Sequence, residues 1–130
     1  MEQRPAHHIV LFGVERSLAQ ELQAALEPRD GPTRFVVTCR THQQGLDPYE
    51  CDLLIVDVDG QADDCLDLLA RCRRLCSHLP AVVLVSRDDT ATAVAAMKAG
   101  AADCLEKPPE PDRLLAAVTA GSSINWLRSK

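Results

Sequence analysis

The segment Leu53-Leu54-Ile55-Val56-Asp57 constrains the fold more than any other part of the chain. A strand on a solvated sheet alternates apolar and polar side chains, because successive residues point to opposite faces. Here the alternation is missing, so both faces of the strand must be covered. That is the pattern of an interior strand in a parallel sheet with helices on either side. Ala81-Val82-Val83-Leu84-Val85 repeats it. Two such strands imply an α/β domain with layers on both faces.

Other segments supply the layers. His8 to Phe12 reads as a first strand, closed by Gly13. Ser17 begins a helix through the capping box Ser-Leu-Ala-Gln, with Leu18, Leu22, Ala25 and Leu26 as its apolar stripe. Pro28 and the Asp30-Gly31-Pro32 turn end it. Phe35-Val36-Val37 is a second strand. The spacing after it predicts a short helix around Thr41 to Leu46, opposed by Gly45 and Pro48. Asp52 to Asp57 is the third strand, and Asp63 to Cys76 a helix with Leu66, Leu69, Cys72 and Cys76 on one side. Pro80 stops it before the fourth strand. Asp89 or Thr90 caps a helix carrying Ala93, Val94 and Met97, which Gly100 ends. Asp103-Cys104-Leu105 is a fifth strand. Pro111 opens a last helix with Leu114, Leu115 and Val118, which extends toward Trp126 although Gly121 opposes it.

Five strand-then-helix repeats predict a flavodoxin-like doubly wound (βα)5 fold, its parallel five-stranded sheet in the order 2-1-3-4-5. Residues 1–121 form one domain. Residues 122–130 end the last helix or begin a linker to an output domain beyond this sequence.

Charge and composition narrow the function. The chain has 130 residues, with 14 Lys and Arg against 19 Asp and Glu, a formal charge of −5. That balance argues against direct nucleic acid binding by this domain through phosphate neutralisation. No apolar stretch approaches the roughly 20 residues of a membrane span. His7 and His8 interrupt any signal-peptide core after Met1, so a cytoplasmic protein is expected, with no membrane partner. Its six cysteines then read as reduced thiols. Cys65, Cys72 and Cys76, spaced seven and four, share a helix face as small buried hydrophobes.

Parallel strands deliver their carboxyl ends to one sheet edge, where open α/β sheets place their chemistry. The ends here are Gly13-Val14-Glu15, Asp57-Val58-Asp59, Val85-Ser86 and Leu105-Glu106-Lys107. Carboxylates, a hydroxyl and a lysine from distant segments thus converge. Such a set suits a phosphoryl group: a carboxylate can attack phosphorus, and an ammonium can pair with the new charge.

At this point the chain resembles the receiver domains of two-component response regulators, from about His7 to Ala120. Asp52 to Val58 resembles the phosphoacceptor strand, and Pro80 to Asp89 the fourth strand and its loop. Ala96-Met97-Lys98-Ala99-Gly100-Ala101-Ala102-Asp103 and Glu106-Lys107-Pro108 resemble the flanks of the fifth strand, in wording similar to the FixJ-like transcriptional regulators. The resemblance implies that Asp57 accepts a phosphoryl group from a histidine kinase, that Lys107 pairs with it, and that the Lys107-Pro108 bond is cis. It also implies a regulatory protein, not an enzyme. Its partners would be a histidine kinase or other signalling protein and a second copy, docked through the fourth helix, fifth strand and last helix.

Several family positions are changed. The two acids that hold Mg²⁺ after the first strand are replaced by Gly13 and Val14. Glu15 and Asp59 lie one or two residues from ligand positions and, with Asp57, are the remaining candidates for Mg²⁺. The family's switch hydroxyl falls on Val85, with Ser86 next to it, and its switch aromatic falls on Cys104. These changes favour a degenerate receiver: an interaction or dimerisation module with weak or absent Mg²⁺-dependent phosphorylation. The alternative is a conventional phosphoacceptor controlling a transcriptional output domain. A nucleotide or flavin binder is disfavoured, because Gly13-Val14-Glu15-Arg16 contains a single glycine.

Overall fold

The computed structural model describes residues 6–27, 34–41, 43–58 and 62–129. Five strands alternate with helices: β1 (Ala6–Phe12), α1 (Arg16–Leu26), β2 (Arg34–Arg40), β3 (Leu53–Asp57), α2 (Ala62–Leu75), β4 (Ala81–Val85), α3 (Thr90–Lys98), β5 (Asp103–Glu106) and α4 (Pro111–Ser129). The strands are parallel in the order β2-β1-β3-β4-β5. The expected sheet and topology therefore hold.

Every residue of β3 and of β4 is buried, as their unbroken apolar runs require. The pleat divides them between two layers. Ile9, Leu11, Leu53, Ile55, Val82 and Leu84 face one core with Leu22, Leu26, Leu114 and Val118. Val10, Leu54, Val56, Val83 and Val85 face the other with Cys65, Leu69, Cys72 and Ala96. Each fully buried aliphatic side chain contributes about 1.5–3 kcal/mol, so the central strands anchor the edge that carries the site.

The layers depart from the sequence reading in places. Helix α1 starts at Arg16, with Glu15 in an extended cap conformation (φ −61°, ψ 148°) and no side-chain cap bond. Ser17 is already helical; its hydroxyl donates to the Glu15 carboxylate instead of capping the helix. The expected helix over 41–46 does not form among the described residues, which leaves four α-helices, not five. Thr41 and Gln44 exchange hydrogen bonds as a capping box would, at 2.9 and 3.2 Å. The chain then leaves the helical path at Gly45, whose φ is +75°. A single 3₁₀ turn follows at Pro48–Glu50, where the Asp47 carboxylate accepts from the Tyr49 amide at 3.0 Å.

Helix α3 is capped by Asp89, which accepts from the Thr92 amide at 3.1 Å. Val94 and Met97 are not core residues: they are 47% and 48% exposed, while Ala96 packs against the sheet. The chain leaves α3 at Gly100 with φ +108°, where a Cβ would meet Arg73 Cδ at 2.7 Å. Helix α4 runs through Gly121 to Ser129. Pro28 and the 30–32 turn lie outside the described residues. No helix among them is long and apolar enough to cross a membrane.

Candidate functional site

Register fixes which strand ends meet. Asp57 pairs with Leu84, and Val85 with Glu106. Beyond those pairs, the Val58 amide donates to Leu84 O at 3.2 Å and the Lys107 amide to Val85 O at 2.9 Å. The loops after β3 and β5 are thereby held on either side of the end of β4. The Lys107-Pro108 bond is cis.

Lys107 reaches across β4 to Asp57. Its Nζ donates to Oδ1 at 3.1 Å and to Oδ2 at 3.0 Å. The Asp57 side chain is 8% exposed and that of Lys107 20%. A carboxylate this buried needs a partner, since an isolated buried charge costs several kcal/mol. The lysine is that partner, and its ammonium keeps contact with water.

A second contact holds the acid from behind. The buried Cys65 thiol donates to the Asp57 backbone carbonyl at 3.4 Å. Burial, then the nearby charges of Asp57 and Asp64, push this thiol up to about 11. It is a protonated donor, not a thiolate. The sequence shows Cys65 on a buried helix face; the bond to the Asp57 carbonyl depends on how α2 sits on the sheet, which periodicity does not report.

Glu15 stands at the rim of the same site. It lines an open cleft of about 340 Å³ with Ser17, Glu21, Asp57, Lys107 and Pro108. Glu15 and Glu21 are both exposed. The two family metal positions bring no side-chain oxygen. Gly13 has φ +70° and donates its amide to Arg40 O at 3.0 Å, and Val14 packs against the α1–α4 core layer. Asp59 lies outside the described residues. Ser86 follows β4 half-buried, its carbonyl accepting from the Asp89 amide at 3.1 Å, and is not among the residues lining the cleft. Val85 beside it is buried. Cys104, in the aromatic position, is half-buried against the α2–α3 layer.

Mg²⁺ wants about six oxygen ligands in near-octahedral geometry. Among the described residues, no three His, Cys, Asp or Glu side chains are arranged to hold a metal ion. The donors of the described residues do not fit the ion.

Residues 9–119 match the model of the response regulator receiver domain. The chain belongs to the response regulator receiver family. This receiver is 33% identical over 112 residues to the transcriptional regulatory protein BasR of Escherichia coli K12, covering 86% of the chain and 50% of that protein. It is 40% identical over 65 residues to the transcriptional regulatory protein FixJ of Bradyrhizobium diazoefficiens, covering 50% of the chain and 32% of that protein. It thus spans half or less of the length of these two relatives. Among solved structures, it superposes on a receiver protein from Pseudoalteromonas atlantica with a TM-score of 0.73 at 26% identity, covering 88% of this chain and 95% of that one. Full-length FixJ from B. japonicum gives 0.72 at 28% identity, covering 92% and 59%.

In chemical terms, the receiver site holds one carboxylate with both oxygens engaged by one ammonium. Each oxygen keeps a lone pair beyond the one that accepts from the lysine, so the carboxylate could attack with the ammonium in place. Afterwards the same ammonium would face the transferred group's charge.

Proposed function

We propose that this receiver is a regulatory interaction module that keeps the framework of a phosphoacceptor but undergoes Mg²⁺-dependent phosphorylation weakly or not at all. The observation that carries this is the pair Gly13 and Val14 beside Asp57, where neither side chain offers an oxygen. A phosphoryl group brings roughly −1.5 to −2 charges at neutral pH. Lys107 offsets one of them, and the exposed Glu15 and Glu21 add repulsion along the same cleft. Glu15 and Asp59 are the side chains that would rebuild a metal site with Asp57. The module signals by binding and is not an enzyme. Its partners are a signalling protein such as a histidine kinase and a second copy meeting it through α3, β5 and α4, a face on which Val94 and Met97 stand exposed. Regulation of transcription through a further domain follows from the names of the relatives.

The retained Asp57–Lys107 pair favours a second reading, a conventional phosphoacceptor at Asp57 with Ser86 as its switch hydroxyl. Incubation with acetyl phosphate and Mg²⁺, followed by intact mass measurement, separates the two. The proposal expects no phosphate-mass adduct. A stoichiometric adduct that disappears in Asp57→Asn overturns it.

A further inference from the structure

The C-terminal part of α2 carries a basic run that the Asp57 site does not use. Arg71, Arg73, Arg74 and His78 occur within eight residues containing no acid, in a domain of charge −5. Arg71, Arg74 and Leu75 are related as i, i+3 and i+4, so they leave the helix on one side. All three are exposed, Leu75 to 45%. Tyr49, from the 3₁₀ turn, lies across the end of the helix. Its hydroxyl donates to the Leu75 carbonyl at 3.1 Å while the residue stays 69% exposed. The bond satisfies a terminal carbonyl that has no partner within the helix, and it fixes the ring beside Leu75.

A groove runs beside this patch. Arg40, at the end of β2, and Arg71 line an open space of about 440 Å³ together with Gln44, Gly45, Leu46 and two acids, Asp47 and Glu50. The space is there because one 3₁₀ turn replaces a helix between β2 and β3. None of Arg40, Arg71 and Arg74 forms an ion pair among the described residues.

Arginines near a helix C-terminus are favoured by the helix dipole, and Arg73 has a further role packing over Gly100. Neither accounts for an exposed tyrosine fixed beside an exposed leucine, nor for Arg40 on another element. Tyrosine and arginine around an apolar centre are the residues that carry most binding energy in protein interfaces.

We propose that this surface docks an acidic, amphipathic segment of a partner protein. Its apolar side chains would cover Tyr49 and Leu75, and its carboxylates would reach Arg40, Arg71 and Arg74. The three arginines outnumber the two acids of the groove, Asp47 and Glu50, so the surface matches an acidic partner better than a second copy of itself. A nucleic acid would meet a domain whose net charge repels phosphate. The surface includes neither Asp57 nor Lys107, so the proposal does not rest on the phosphorylation state.

The test is a titration of ¹⁵N-labelled domain with three probes: a synthetic amphipathic helix bearing glutamates, its twin with lysine for every glutamate, and a short DNA duplex. The acidic peptide is expected to shift the amides of residues 43–50 and 71–78. The variant R71E/R74E, at exposed positions that leave the remaining spectrum intact, should bind it about tenfold more weakly, through loss of two charge-assisted contacts. Tyr49→Ala should weaken it without changing its salt dependence. No shifts, shifts on another face, equal binding of the lysine twin, or duplex DNA moving these amides in place of the peptide would each overturn the proposal.

Discussion

Replacing Lys107 by methionine removes an ammonium that bonds both oxygens of the Asp57 carboxylate, and the cost follows from how much water can take its place. Exposed ion pairs are worth about 0.2–1 kcal/mol, whereas removing one partner of a fully buried pair costs about 3–5 kcal/mol. This pair lies between, nearer the buried end: the acid is 8% exposed, the lysine 20%, and both carboxylate oxygens are bonded within 3.1 Å. The cleft beside Asp57 gives water a route to its oxygens, which lowers the penalty. Lys107→Met should therefore destabilise the domain by about 2 kcal/mol. Asp57→Asn should cost less, about 1 kcal/mol, because the ammonium can swing toward solvent. The double variant should be less destabilised than the sum, with a coupling of about 1 kcal/mol or more. Urea unfolding at neutral pH followed by circular dichroism, with one common slope, measures all four corners of the cycle. High salt should leave most of the coupling, since buried pairs are weakly screened. A loss under about 0.5 kcal/mol for Lys107→Met, or strict additivity, would show the pair behaving as a solvated surface contact and would refute the reasoning.

Restoring acids with Gly13→Asp and Val14→Asp should raise Mg²⁺ affinity above the parent's and increase the phosphate-mass adduct formed with acetyl phosphate; calorimetry and intact mass, run beside the parent, check this. The Asp at position 13 must accept φ near +70°, which aspartate tolerates better than most residues. Gly100→Ala should destabilise by about 1–3 kcal/mol, from a left-handed backbone and displacement of Arg73; a melting temperature unchanged from the parent would contradict this. Burial and the neighbouring Cys72 push the Cys51 thiol up to about 12, as Cys65 is pushed to about 11, from an ordinary 9.0. Between those values the folded state holds protons that the unfolded chain has released, so stability should fall as pH rises from about 9 toward 11. The urea midpoint should fall less steeply over that range in C51A/C65A than in the parent, and equal slopes would count against the assignment.

The sheet was legible because β3 and β4 are apolar without interruption, and only a doubly covered strand explains that. The convergence of Asp57, Glu15 and Lys107 followed from parallel topology alone. The start of α1 was misplaced because Ser17 matches the capping box, yet Glu15 takes the extended cap geometry and uses Ser17 as a donor. The expected helix over 41–46 does not form: Thr41 and Gln44 bond to each other as a capping box would, but Gly45 breaks the turn that they begin. The sequence places Ala93, Val94 and Met97 on this helix without saying which side faces the sheet; α3 approaches through Ala96, and the larger Val94 and Met97 are left outside. The bond from Cys65 to the Asp57 carbonyl left no trace in the sequence, since a thiol reads as core whether or not it holds a neighbouring strand.

The order β2-β1-β3-β4-β5 also has a consequence in time. During synthesis β1 and β2 emerge first and can pair only with each other, and a two-stranded ribbon is marginal in water. The inner edge of β1 then waits for Leu53 to Val56, an unbroken apolar run, to arrive from across the crossover. Until β4 follows, that stretch has a neighbour on one side only. Folding should thus be governed by long-range closure around β3 and not by early helices. The interval before β4 joins is when the nascent chain is most exposed to association with its neighbours.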